Sequence, residues 1–148
     1  RKKIGVVFQP IKLLHDTTVL ENVMLTLEKD GRDPGTSIRK AEEVLGQVGL
    51  SPQRNRFPRE LSGGEVQRVA IARSLVLSPD DLLADEPTGD LDPVTSKEIV
   101  KLLTDVNKNG TTVVMATHNF DIVNSLSKRV ISLNISWIWS LSTLQMVL

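Results

Sequence analysis

Apolar positions along this chain fall into short continuous runs and longer helical stripes. Ile4-Gly5-Val6-Val7-Phe8 is a partly β-branched run, the pattern of a buried strand, and Gln9-Pro10 ends it because proline cannot extend a ladder. Residues 11–60 are mainly helical and polar in pattern. Ala41, Val44, Leu45 and Val48 fall at i, i+3, i+4 and i+7, one apolar face that Gly49 closes. Residues 30–36, with Gly31, Pro34 and Gly35, read as a loop. Ser62 and Glu65 have capping-box spacing and open a helix that Val66, Val69, Ala70 and Arg73 carry to about Leu77. Leu82-Leu83-Ala84 is a short strand cut off by Pro87. Asp81 is placed just outside it, since an unpartnered buried carboxylate is costly. Asp92-Pro93 opens the next helix, with its stripe at Ile99, Leu102, Leu103 and Val106 and its stop at Gly110. Residues 111–117 form a β-branched strand, Asn119 caps a short helix toward Ser127, and residues 130–133 form a further strand.

Strands alternating with helices predict an α/β fold with a mostly parallel sheet, in one domain interrupted by a helical insertion up to about Leu77. The length of 148 residues suits one domain with a real core. Lys and Arg number 18 and Asp and Glu 18, so bulk charge favours no nucleic-acid partner. The lack of cysteine excludes disulfides and thiolate metal sites. No apolar leader core stands at the start. Residues 130–148 carry no charge, but serines, threonine, asparagine and glutamine interrupt them. The period-two order Ile131, Leu133, Ile135, Trp137 predicts a strand there rather than a membrane helix.

Ligands of open α/β sheets sit at the carboxyl ends of the strands. Three strands end there in polar groups: Phe8-Gln9, Ala84-Asp85-Glu86 and Thr117-His118. Hard oxygens such as those of Asp85 and Gln9 suit Mg²⁺ or its waters. A second carboxylate, Glu86, can position or deprotonate water, and a histidine can steady a terminal phosphate. Singly each is weak: Asp85-Glu86 alone reads as a solvated strand end, and His118 alone as a cap or surface histidine. Their shared position carries the argument.

Leu61-Ser62-Gly63-Gly64-Glu65 is the sharpest element. Exposed amides at a helix start, with the positive end of the dipole, bind anions, and glycine lets the backbone come close. A plain helix cap explains Ser62 and Glu65 but leaves Gly63 and Gly64 unexplained, since glycine in a first turn weakens a helix.

LSGGEVQRVAIAR at 61–73 resembles the signature motif of the ABC ATPases and the helix that follows it. LLADEP at 82–87 is similar to their Walker B strand with its glutamate, and TGDLD at 88–92 to their D-loop. Ala116-Thr117-His118 resembles the switch-histidine segment and Val7-Phe8-Gln9 the Q-loop. The five motifs occur in family order across residues 4–133. IGVVFQ, DEPTGDLD and TTVVMATHN are worded most like the branch that serves cell division, with relatives in lipoprotein release and macrolide export.

The resemblance implies a partial P-loop NTPase, RecA-like core at residues 1–9 and 78–135. It places the ABC helical subdomain at 10–77 and an atypical tail at 136–148. It implies ATP and Mg²⁺ as cofactors and phosphoryl transfer governed by positioning and charge. Asp85 would hold Mg²⁺ through water, Glu86 would polarise the attacking water, and His118 would contact the γ-phosphate. Gln9 would sense metal and water and link to the partner. Ser62, Gly63 and Gly64, with Glu65 closing their motif, would meet nucleotide held by a second subunit, and Asp92 would lie at that interface. The implied partners are a second nucleotide-binding domain and a permease-like integral-membrane protein, at the cytoplasmic face of the plasma membrane. Chromosome-maintenance ATPases share LSGG, but lack VQRVAIAR and carry heptad arms that this chain does not show.

Two departures stand out. No G-x-x-x-x-G-K-[ST] occurs in these residues, so the chain by itself is expected to bind and hydrolyse ATP poorly, the alternative being a non-catalytic remnant that still dimerises or docks on a membrane partner. After Leu133 the family continues into a charged, glycine-containing hairpin. This chain instead reads NISWIWSLSTLQMVL, as expected of a shifted frame or truncated gene, or of a divergent ending. Exposed Trp137 and Trp139 would make that region aggregation-prone.

Overall fold

The computed structural model describes residues 3–135 and 142–147, with side chains over 3–132. Strands β1 (Ile4–Val7), β2 (Asp81–Asp85) and β3 (Thr112–Thr117) pair in parallel along one side of a sheet. Their register aligns Val7, Ala84 and Met115 in one row, and all three are buried. Strands β4 (Val130–Ile135) and β5 (Ser142–Val147) complete the order β1-β2-β3-β5-β4. β5 is antiparallel to both neighbours, so it is the one described strand that runs against the rest. The sheet is therefore mostly parallel, as the alternation of strands and helices predicts.

Helices α1 (Val19–Lys29) and α2 (Pro34–Gln47) pack on each other, and both meet α3 (Gly63–Leu75). Val19, Val23, Leu27, Ala41 and Leu45 fill the space between them. α3 lies across β1 at close range, since a Cβ on Gly5 would sit 2.6 Å from the Ser74 carbonyl oxygen. Ser74 Oγ also donates to the Val6 carbonyl at 2.8 Å. α4 (Pro93–Lys108) packs on β3, and α5 (Phe120–Leu126) follows it. Together these elements bury one face of the sheet, while Ile4 and Leu83 are exposed on the other.

The expected helix ends are present with their caps. Ser62 and Glu65 form a full capping box, Asp92 and Asn119 accept from first-turn amides, and Gly49 and Gly110 take φ of +75° and +103°. α3 stops two residues short of Leu77.

Two expectations are corrected. Residues 30–36 are not all loop: α2 begins at Pro34 because Asp33 accepts from the Thr36 amide and proline suits a first helical position. β2 begins at Asp81 itself, where the residue is only half-buried at the strand's entrance, so its carboxylate avoids an apolar interior. Within the tail, β5 pairs with β3 and β4. Residues 11–60 are helical mainly from Val19 onward. Ahead of α1, buried Asn22 ties the chain down: its Oδ1 accepts from Leu14 N at 2.8 Å and its Nδ2 donates to Leu14 O at 3.0 Å. Among the described residues no helix is long and apolar enough to cross a membrane. Trp137 and Trp139 lie outside the described residues.

Candidate functional site

The site is built at the carboxyl ends of β1, β2 and β3. The ladder runs one residue past β2, as the Glu86 amide donates to the Ala116 carbonyl at 2.9 Å. Glu86 then takes φ +43°, a left-handed conformation uncommon outside glycine, and turns the chain out through Pro87. Its carboxylate is folded back against the end of β3. Oε1 accepts from the His118 amide at 2.9 Å and lies 2.6 Å from His118 Nδ1, while Oε2 accepts from Thr117 Oγ1 at 3.1 Å. An ionised carboxylate only accepts, so this contact is attractive when Nδ1 carries the proton. The Glu86 side chain is 14% exposed and that of His118 77%, so the acid is held inward and the imidazole faces solvent.

The loop after Glu86 is tightly wound. Gly89 N donates to Glu86 O at 3.0 Å and Leu91 N to Thr88 O at 3.3 Å, with Asp90 at φ +63°. Gln9, just past β1, reaches this loop and donates from Nε2 to Asp90 Oδ2 at 3.2 Å. A Cβ on Gly89 would lie 2.6 Å from that same Nε2, so glycine is what lets the amide settle there. Asp92 then caps α4, accepting from the Val94 and Thr95 amides at 2.9 and 3.0 Å. The Thr95 hydroxyl, and then the amides, hold its carboxyl below the usual range.

The start of α3 stands beside this loop. Ser62 N and Oγ donate to Glu65 Oε2 at 2.8 and 2.9 Å, and the Glu65 carboxyl is lowered chiefly by the Ser62 backbone. A Cβ on Gly64 would stand 2.4 Å from Thr95 Cγ2, and one on Gly63 3.3 Å from Leu91 Cδ2. Close approach to α4 therefore accounts for Gly64, which capping alone did not. The Gly63 and Gly64 amides occupy the first two helical positions, where an α-helix offers no internal acceptor.

Of the residues singled out in the sequence, Glu86 and His118 touch, Gln9 meets the loop through Asp90, and Ser62 to Glu65 approach Asp92 through Gly64 and Thr95. Asp85 is exposed at the end of β2. Among the described residues no three His, Cys, Asp or Glu side chains gather as a metal cage. One exposed carboxylate suits a hydrated Mg²⁺ bound chiefly through water and phosphate. Sequence reasoning gave no role to Thr117 or Asp90, whose partners are 31 and 81 positions away, and did not name Thr95, which meets Gly64 across 31 positions.

A protein-family model described as ABC transporter matches residues 1–89. The chain belongs to the ABC transporter family. It is 56% identical over 133 residues to the cell division ATP-binding protein FtsE of Bacillus subtilis (strain 168), covering 90% of this chain and 58% of that protein. FtsE of Mycobacterium tuberculosis (strain ATCC 25618 / H37Rv) is 53% identical over 135 residues, with 91% and 59% covered. The methionine import ATP-binding protein MetN of Clostridioides difficile (strain 630) is 45% identical over 131 residues, 88% of this chain and 41% of that protein. The chain thus spans under three-fifths of the length of these curated relatives.

Among solved structures, the dimeric post-hydrolysis state of the ATP-binding cassette MJ0796 with ADP and Pi matches with a TM-score of 0.70 at 40% identity. It covers 82% of this chain and 54% of that one. A second dimeric structure of MJ0796, a bacterial ABC transporter cassette, gives 0.71 at 41% identity, covering 83% and 55%. The ABC chain therefore has the P-loop NTPase architecture of these cassettes.

Proposed function

We propose that this chain is part of the ATP-hydrolysing subunit of an FtsE-type membrane complex, with residues 1–9 and 78–135 serving as the ATP-binding core. Residues 10–77 act as the helical subdomain that carries the signature motif, and 136–148 as a divergent tail. The observation that carries the reading is the Glu86 carboxylate, placed past β2 and held by Thr117 and His118. Glu86 is the group that orients and activates the attacking water, and His118 the one that meets the γ-phosphate. Ser62, Gly63 and Gly64 present the amides and dipole of α3 to nucleotide on a second copy, with Asp92 at that boundary. Asp85, assisted by Gln9, would hold Mg²⁺, which supplies charge neutralisation to the phosphates when bound.

The proposed partners are a second copy and an FtsX-like permease protein at the cytoplasmic face of the plasma membrane, with the chain bound peripherally. Support comes from the names of the FtsE relatives and from the dimeric MJ0796 cassettes. The deciding experiment is ATP hydrolysis by the complex isolated from its own membrane. Turnover lost in Glu86→Gln supports the reading, and full turnover in that variant overturns it. Co-isolation of a permease unrelated to cell division would favour an exporter or importer ATPase instead. The 148 residues alone carry no G-x-x-x-x-G-K-[ST] loop and are expected to hold ATP weakly. Micromolar affinity in a titration would overturn that.

A further inference from the structure

Two capping boxes in this chain are built alike and differ in one contact. At α1, Thr18 N and Oγ1 donate to Glu21 Oε2 at 2.7 and 2.8 Å, and Glu21 N donates back to Thr18 Oγ1 at 3.3 Å. At α3, Ser62 N and Oγ donate to Glu65 Oε2 at 2.8 and 2.9 Å, and Glu65 N donates back to Ser62 Oγ at 3.3 Å. At α3 the second carboxylate oxygen is held too: Gln53 Nε2 donates to Glu65 Oε1 at 3.1 Å. Gln53 closes the 3₁₀ turn Ser51–Gln53 that follows α2. Its own Oε1 is buried with no hydrogen-bond partner among the described residues. A half-satisfied buried amide is unfavourable, so the fold bears a penalty at the position whose amide group restrains Glu65.

The restraint matters because of where the carboxylate stands. Glu65 places a negative charge in the first turn of α3, beside the Gly63 and Gly64 amides that have no helical acceptor. A carboxylate free to swing would compete with an incoming phosphate for those amides and repel it. With both oxygens engaged, it stays on the Ser62 side.

We propose that Gln53 is a positioning residue for α3: it pins Glu65 within the Ser62 cap and so keeps the exposed Gly63 amide open to a nucleotide phosphate. The inference rests on the reading of α3's start as a phosphate contact. The titration behaviour of the two boxes agrees with it. Glu65 is lowered first by the Ser62 backbone and hydroxyl, with Arg56, the charged group facing it, and Gln53 adding to the effect. Glu21 is lowered by Thr18 alone.

Two measurements test the proposal. The side-chain carboxyl titrations of Glu65 and Glu21, followed by NMR in this chain, should show Glu65 moving up in Gln53→Leu while Glu21 stays, which also reports that the fold persists. In the complex isolated from its membrane, Gln53→Leu should lower kcat about tenfold, the scale of one hydrogen bond to a charged group, with KM for ATP little changed. Gln53→Lys, which restores a donor, should recover most of that rate. A Glu65 titration unmoved by Gln53→Leu, or a complex turning over at the native rate, overturns the proposal. A native complex that hydrolyses no ATP overturns the functional reading and the phosphate half of the inference, while the Glu65 titration still decides the pinning.

Discussion

His118 Nδ1 lies 2.6 Å from Glu86 Oε1, and the His118 amide donates to that same oxygen at 2.9 Å. One short segment at the end of β3 thus holds the acid by main chain and side chain together. With Thr117 on the other oxygen, Glu86 accepts from two definite donors, the Thr117 hydroxyl and the His118 amide, beside the close His118 ring contact.

Glu86→Gln keeps the size of the side chain and the left-handed backbone but removes the proposed base. ATP turnover in the isolated membrane complex is expected to fall at least about 100-fold, within the range for losing a general base. His118→Ala leaves Thr117 in place and should also slow turnover. Thr117→Val, which deletes one donor and keeps the shape, should have the smallest effect of the three. Phosphate release under saturating ATP separates them.

Gly64 and Thr95 offer a test of packing with a built-in reversal. Gly64→Ala brings a methyl 2.4 Å from Thr95 Cγ2, and rotating Thr95 away would take its hydroxyl off Asp92. Overpacking of this kind costs about 1–3 kcal/mol, against a helix-propensity gain of about 1 for replacing glycine. Gly64→Ala should therefore lower the thermal midpoint of the chain by a few degrees. In a Thr95→Ser background the offending methyl is gone and the hydroxyl remains, so the same substitution should be neutral or stabilising. Thermal denaturation of the four proteins checks the sign in each background.

Asp33, Glu21, Glu65 and Asp92 all cap helices, and each titrates below its ordinary value of 3.8 or 4.5. For Asp33 and Asp92 the largest cause is the threonine hydroxyl three residues on, and for Glu21 and Glu65 the backbone amide of the capping residue. A carboxyl lowered by folding adds stability above its unfolded value, and that stability is lost as pH falls through the folded value. The chain should hold its midpoint from neutral pH to about 4.5 and then lose it on further acidification. Asn is also a good N-cap, so Asp92→Asn should change little at pH 7 and soften the acid decline. A midpoint that rises below pH 4.5 would contradict this.

The helices and parallel strands were legible because their signals are local. Stripes such as Ala41, Val44, Leu45 and Val48, and caps such as Ser62, Asp92 and Asn119, sit within one or two turns. The Thr18–Glu21 box was equally readable from its T-x-x-E spacing and was missed. β5 was not singled out, although Leu144 and Met146 alternate with Thr143 and Gln145; its place is fixed by pairing with strands on both sides. At the site, the strand ends announced Gln9, Glu86 and His118. Their partners were hidden, because Gln9 to Asp90 spans 81 positions and no local period records such a contact.

That Gln9–Asp90 contact supports a last prediction. Gly89→Ala would place a Cβ 2.6 Å from Gln9 Nε2, but the clash is with the far end of a flexible side chain. Gln9 can swing aside, unlike Thr95 beside Gly64, so the cost in stability should be small. Gly89 is also absent from the glycines with positive φ, so alanine needs no backbone change there. What the swing would break is the 3.2 Å bond from Gln9 to Asp90, the direct side-chain tie between the segment after β1 and the loop after β2. In the membrane complex, Gly89→Ala and Asp90→Ala should therefore reduce ATP turnover by similar factors, with the thermal midpoint of the chain nearly unchanged in Gly89→Ala and somewhat lowered in Asp90→Ala, since Asp90 stands at φ +63°. Gln9→Ala in the Gly89→Ala background should add little, because the contact is already lost. Additive losses in that double variant would show that Gln9 acts elsewhere than on Asp90.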